Sequence, residues 1–228
     1  MIDMTEIDLQ ALTKWDTPTI CNALEITNPE RRGFGYTIRP FSCLAPSLTP
    51  IIGYARTAKI RATAPATAAI DRLVYYEYIA ADPSPTIVLI EDVDPTPGYG
   101  AFWGEVQTNV HKSLGVLGGI TNGSYRDVND SAQGFQLLGG MVNPSHAHVH
   151  LVEINCQVMI HGMAIKDGDI VHADRHGAVI IPRDAVGGIP KAVDLLIRRE
   201  AVILKATKEP GFNVERLKRA IGNQADIH

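Results

Sequence analysis

The chain has 228 residues, 45% hydrophobic and 20% charged, with a formal net charge of -4, a composition that supplies one sizeable buried core and excludes a disordered or low-complexity protein. Its basic residues are scattered, so it builds no surface for a phosphate backbone, and nucleic acid is not expected as a partner. Cys21, Cys43 and Cys156 lack CxxC spacing, which argues against a zinc ribbon or disulfide framework and fits a reducing cytoplasm.

The N-terminal "MIDMTEIDLQ" is acidic, without an apolar signal region, and no segment is long and apolar enough to cross a bilayer; a cytoplasmic protein without membrane association is expected. A first helix is predicted over about Thr5 to Lys14. "DTPTICNAL" then offers a cap and an early proline for a second helix near Pro18. The Gly/Pro-rich "RRGFGYTIRPFSCLAPSLTP" predicts irregular or edge structure. "IIGYARTAKIRATA" alternates as a strand, "ATAAIDRLVYYEYIAA" has helical periodicity, and "TIVLIEDV" is the continuous apolar run of a buried strand. The tyrosines of the helical segment suit core packing or a subunit interface.

Short strands are predicted in "HAHVHLVEIN", "QVMIHGMAI", "DIVHAD" and "GAVIIP", with helix returning from Arg183 to Thr207 and a last helix over Val214 to Ile221. Flanking helices around many strands point to strands in two layers with helices outside.

The stretch from Gly104 to Asp130, "GEVQTNVHKSLGVLGGITNGSYRDVND", carries the chemistry. A glycine before a helix lets unpaired backbone N–H groups approach an anion, and the helix dipole adds to the attraction. Arg126 offers a planar, permanently charged fork for a carboxylate or a developing oxyanion. Asp127 and Glu105 are hard oxygen ligands of the type Mg²⁺ or Mn²⁺ accepts, often through retained waters. The plainer alternative makes Asp127 an N-cap, with Asp130 in the following turn, and Arg126 a solvated side chain.

Glu105, twenty intervening residues and Arg126-Asp127, together with Gly104 and "LGVLGGITNGSYRD", resemble the RraA-like family of class II, metal-dependent pyruvate aldolases, typified by 4-hydroxy-4-methyl-2-oxoglutarate aldolase. "GYARTAKI" and "AIKDGDIVHADRHGAVIIP" extend the resemblance over roughly residues 17 to 205. It implies an α/β fold, an α/β/β/α sandwich of swivelling β/β/α topology, as one domain over residues 1–228 with N- and C-terminal helical extensions. It also implies a lyase that releases pyruvate from 4-hydroxy-2-oxo acids and decarboxylates oxaloacetate through a shared enolate. By resemblance, Gly104, Glu105, Val106 and Gln107 cradle the pyruvyl carboxylate, and Arg126 binds the pyruvyl oxygens. Asp127 holds Mg²⁺ or Mn²⁺, with Glu105 at or near its water shell. A homotrimer or dimer of trimers is implied, with an acid from a neighbouring subunit, for which Glu200 is the candidate.

Two departures accompany the resemblance: Glu105 stands where the family more often has Asp, and Asn122 where Asp is common, in a turn expected to need positive φ. Other family members bind a ribonuclease and lack the aspartate after the arginine; Asp127 favours the enzyme over that regulatory alternative. A methyltransferase role is not expected, because no early strand is followed by a glycine-rich loop.

His146, His148 and His150 fall on one face if "HAHVH" is a strand. One strand supplies no convergent metal shell, so a pocket wall or subunit contact is expected. His172, Asp174 and His176 lack a serine in a nucleophile-elbow context and predict a structural network. Gly98 to Gly100 predicts a loop near the site.

Overall fold

Asp16 decides where the first α-helix begins. In the computed structural model, which describes residues 9–227, its Oδ1 accepts the Thr19 N–H at 3.0 Å and Pro18 occupies the first turn, starting α1 (Thr17–Thr27). Such a cap is worth about 1 kcal/mol. Residues 5–8 of the expected first helix lie outside the described residues; the remainder is a 3-10 helix, Leu9–Lys14.

The start of α1 is tied to strand residues far along the chain. Thr17 N–H donates to Asp174 Oδ2 at 2.9 Å, Thr17 Oγ1 lies 3.0 Å from His172 Nδ1, and Asp174 Oδ1 accepts the His176 N–H at 2.8 Å. His172 and Asp174 therefore pin a helix to a strand, the structural role expected of them.

The strands are β1 (Ser42–Cys43), β2 (Ile51–Arg61), β3 (Thr86–Asp92), β4 (Ala101–Trp103), β5 (Val116–Thr121), β6 (Ser124–Tyr125), β7 (Gln136–Gly139), β8 (Met141–Val142), β9 (His150–Ile154), β10 (Val158–Ile160), β11 (Met163–Ile165), β12 (Ile170–Asp174) and β13 (Gly177–Ile181). The remaining helices are α2 (Arg72–Ala80), α3 (Glu105–Ser113), α4 (Ile189–Thr207) and α5 (Val214–Ala225). Among the described residues the main sheet runs β1-β7-β5-β3-β2-β12-β13, with β9 also on β2. The inner strands β2, β3, β5 and β7 are parallel, and β12, β13, β9 and β1 are antiparallel to their neighbours. β2 changes partner along its length: Ile51 to Tyr54 pair with β12, and Ala58 to Arg61 with β9 across an irregularity at Lys59/Ile60.

Strand β3 shows why "TIVLIEDV" holds an unbroken apolar run, Ile87 to Ile90. Ile87 and Leu89 pack into a cluster with Val158, Ile160, Met163 and Ile165 of the β10–β11 hairpin, while Val88 and Ile90 face Tyr75, Ile79, Trp103 and Phe135. A strand buried on both faces has no polar side to alternate with. A third cluster joins Ile20 and Leu24 of α1 to Ile189 and Val193 of α4 over Ile52, Ile170 and Ile181. The expected α/β class, with helices outside strands, is what forms.

Three local expectations are corrected. The predicted helix at "ATAAIDRLVYYEYIAA" starts only at Arg72, where Asp71 caps it through the Leu73 N–H at 2.7 Å. "HAHVH" is not a strand: Ala147 takes φ 45° and β9 starts at His150, so the period-two face dissolves into a turn. Asn122-Gly123 is not a positive-φ turn. Instead Asn122 Oδ1 accepts the Asp92 N–H at 2.8 Å and its Nδ2 donates to the Asp92 carbonyl at 3.0 Å, extending β3 with a side-chain amide.

Candidate active site

The site is built where β4 ends and α3 begins. Arg126 N–H donates to the Trp103 carbonyl at 3.0 Å, holding the segment after β6 against the end of β4. This brings Arg126 and Asp127 to the first turn of α3. Asp127 adopts φ 53°, a left-handed conformation that aspartate tolerates better than most residues. Its carbonyl accepts Asp130 N–H at 3.1 Å, Ser131 N–H at 2.9 Å and Ser131 Oγ at 2.9 Å, locking the turn.

With the backbone so turned, the Asp127 carboxylate reaches back to α3. Oδ2 accepts the Glu105 N–H at 3.1 Å and lies 3.5 Å from Arg126 Nε. Asp127 is thus a cap, as the plainer alternative held, but of the helix preceding it in sequence. Oδ1 accepts no hydrogen bond among the described residues. Gly104 is required by this approach and not by its own backbone angle: φ is -174°, but a Cβ there would lie 2.5 Å from Asp127 Oδ2.

An open cleft of about 690 Å³ lies over this junction, lined by Gly104, Glu105, Val106, Gln107, Arg126 and Asp127 and walled by residues 146–150. The fold therefore brings together every residue of the sequence-derived constellation except Glu200, which is exposed on α4 and does not line this cleft. Glu105 and Val106 are exposed, and the side chains of Arg126 and Asp127 are 38% and 32% accessible. The histidines wall the cleft, one of the two roles expected of them. His146 Nδ1 lies 2.7 Å from the Ala147 carbonyl and His150 Nδ1 2.7 Å from the His148 carbonyl, so both rings are held by their own loop. The Gly98–Gly100 loop adjoins that wall, with Asn143 Nδ2 donating to the Gly98 carbonyl at 2.7 Å and Ala101 N–H to the Ser145 carbonyl at 2.9 Å. Asp94 anchors the chain leaving β2, accepting Ala62 N–H at 2.6 Å and Thr63 N–H at 2.9 Å. Burial raises its pKa, but these bonds outweigh it and hold the carboxyl below the usual value.

The support beneath α3 was not apparent in the sequence. His111 is fully buried; its Nδ1 lies 2.6 Å from the Gln107 carbonyl and its Nε2 2.7 Å from Tyr75 Oη. Trp103 stacks obliquely on it at 4.6 Å between centroids, against Gly119, whose absent Cβ would meet the indole at 2.5 Å. Thr108 and His111, one turn apart on the buried face of α3, were the available signal.

Burial pushes both His111 and His172 down to about 4 from the ordinary 6.5. Each is neutral in the native state, whereas the unfolded chain takes up a proton below 6.5. Their stabilisation is therefore complete above pH 6.5 and is lost as pH falls towards 4. Asp94, shifted below 3.8, loses its contribution only at lower pH. Urea midpoints at pH 7, 5.5 and 4.5 are expected to fall progressively; a flat series would show that neither imidazole is held neutral.

Residues 17–180 match the sequence profile of the RraA-like family, described as Aldolase/RraA. The chain belongs to this family. Solved structures share its fold: an uncharacterized protein from Pseudomonas syringae pv. tomato is 20% identical with a TM-score of 0.69, covering 96% of this chain and 97% of that one. Streptomyces coelicolor RraAS2, described as an unusual member of the RNase ES inhibitor RraA protein family, is 20% identical with a TM-score of 0.63, covering 86% and 93%. Protein DlpA of Legionella pneumophila is 26% identical over 113 residues, 47% of this chain, and the chain spans only 18% of that protein's length. No helix among the described residues is long and apolar enough to cross a membrane.

Proposed function

We propose that this RraA-like chain is a divalent-metal-dependent lyase of the class II pyruvate aldolase type, cleaving 4-hydroxy-2-oxo acids such as 4-hydroxy-4-methyl-2-oxoglutarate and decarboxylating oxaloacetate. The observation that carries the reading is the Asp127 carboxylate, held beside Arg126 by the first turn of α3 at the floor of an open cleft.

The donor set fits a hard cation of the Mg²⁺ or Mn²⁺ type. Among the described residues no cluster of three or more His, Cys, Asp or Glu is positioned to hold a metal, and Mg²⁺ in particular uses one or two carboxylates while retaining its waters. Asp127, through the uncommitted Oδ1, would hold the ion, with Glu105 at its water shell. When bound, the cation supplies Lewis-acid polarisation of the 2-oxo group.

The chain's own groups do the remaining work. Glu105 N–H is committed to Asp127, so the first-turn N–H groups of Val106 and Gln107 are those that receive the pyruvyl carboxylate, with the helix dipole behind them. The Arg126 guanidinium faces the pyruvyl oxygens. As the C4 hydroxyl loses its proton, the C3–C4 bond breaks, C4–O becomes a carbonyl, and the electron pair stays on the pyruvyl fragment. Arg126 stabilises the resulting enolate charge until C3 is protonated to give pyruvate. Oxaloacetate loses CO₂ through the same enolate. Glu200, exposed on α4, serves as the acid only if assembly into a trimer or dimer of trimers brings it from another copy.

Pyruvate release from oxaloacetate and from 4-hydroxy-4-methyl-2-oxoglutarate, with Mg²⁺, with Mn²⁺ and with EDTA, tests the proposal. Turnover is expected with either metal and loss with EDTA, restored by adding metal back. No pyruvate from either compound would favour the ribonuclease-binding alternative.

A further inference from the structure

A smaller pocket of about 140 Å³ adjoins the cleft, sharing Arg72, Phe102, Gln107, Val149 and His150 with it. Its remaining wall includes Ile70, Tyr75, Tyr76 and Leu151. The polar tips of this wall are already satisfied. Tyr75 Oη is bonded to His111 Nε2 at 2.7 Å, and Tyr76 Oη donates to Gln107 Oε1 at 3.0 Å. Arg72, Gln107 and His150 line both spaces, and the wall that belongs to the smaller pocket alone, Ala69, Ile70, Tyr75, Tyr76 and Leu151, is aromatic and aliphatic. The pocket's volume, about 140 Å³, is close to that of a cavity that holds one benzene ring. Gln107 joins the two spaces: its backbone belongs to the first turn of α3, beside Asp127, and its side chain braces Tyr76.

We propose that this pocket receives the non-pyruvyl half of the substrate and that this half is an uncharged ring of benzene size. The inference rests on the lyase reading above. With 4-hydroxy-2-oxo-4-phenylbutanoate, loss of the hydroxyl proton and breakage of C3–C4 give benzaldehyde, and the pyruvyl fragment takes up a proton to give pyruvate, so the step balances without another reactant. The ring lies against Tyr76 and Phe102 while the carboxylate meets the first turn of α3. A second carboxylate in place of the ring finds a cation only at Arg72, where the two spaces meet, and apolar side chains beyond it.

Three measurements on the full chain test this: kcat/KM for the phenyl substrate, for 4-hydroxy-4-methyl-2-oxoglutarate and for oxaloacetate; binding of toluene by saturation-transfer NMR; and both repeated on Ala69→Phe, a substitution at an exposed pocket residue outside regular structure. The phenyl substrate is expected to exceed the dicarboxylate by about tenfold or more, and Ala69→Phe to lower the phenyl-to-oxaloacetate ratio by at least about tenfold, the scale on which pocket shape discriminates. Toluene is expected to bind the wild type and to weaken in the variant. A preference for the dicarboxylate, or no toluene binding to the wild type at millimolar concentration, would overturn the proposal even with oxaloacetate turned over. Toluene bound but oxaloacetate inert with either metal would instead remove the lyase reading, and the pocket's role as a substrate subsite with it.

Discussion

Replacing Asp127 by asparagine is expected to lower metal-dependent pyruvate release from oxaloacetate roughly 10²–10³-fold while leaving the protein folded, the scale seen when one preorganised polar group is removed from an active site. Asparagine has nearly the same shape and also tolerates the left-handed backbone at φ 53°. Its amide oxygen can still accept the Glu105 N–H, so the substitution removes charge and little else. The ion pair with Arg126 is partly exposed and contributes little to stability. Arg126→Ala is expected to lose a similar factor, mostly in kcat, because the enolate charge exists only after the C–C bond has broken. Steady-state kinetics with a thermal melt for each variant check this; near wild-type turnover in either would remove the proposed mechanism.

Gly104→Ala is expected to cost about 10²-fold in kcat without touching any charged group, the penalty typical of a reacting group misplaced by about 1 Å. The new Cβ would sit 2.5 Å from Asp127 Oδ2 and 3.2 Å from Arg126 Cγ, so the carboxylate must leave the Glu105 N–H. The backbone itself is extended and accepts alanine. The melting temperature should therefore move little while activity falls; unchanged activity would mean that the capped position of Asp127 is not the working one.

The parts of the fold set by local chemistry were legible in the sequence. Asp16 and Pro18 announced α1, and the unbroken apolar run at β3 announced burial on both faces. Gly104, Arg126 and Asp127 were legible as a group because their order in the chain resembles a known pattern. Their contacts were not. That Asp127 caps α3 depends on one positive-φ residue and on Arg126 N–H pairing with Trp103, neither of which has a periodic signature. "HAHVH" misled because alternation of residue types does not exclude a turn, here made at Ala147. Nor could periodicity reveal that Asn122 would bond to the Asp92 backbone, or that Tyr75 would meet His111.

The change of partner along β2 has a consequence for how the chain reaches this state. β3 and β5, which lead into and out of the site region, are near neighbours in sequence and pair directly. β2 pairs with β3 along one edge, but its other edge is covered only when much later segments arrive: Ile52 pairs with His172 and Ile60 with Leu151. Closing such loops costs entropy before any contact rewards it, which slows folding. During synthesis, the strand that organises the sheet must wait for β9 and β12, with one edge left unpaired until the chain has been made as far as Asp174.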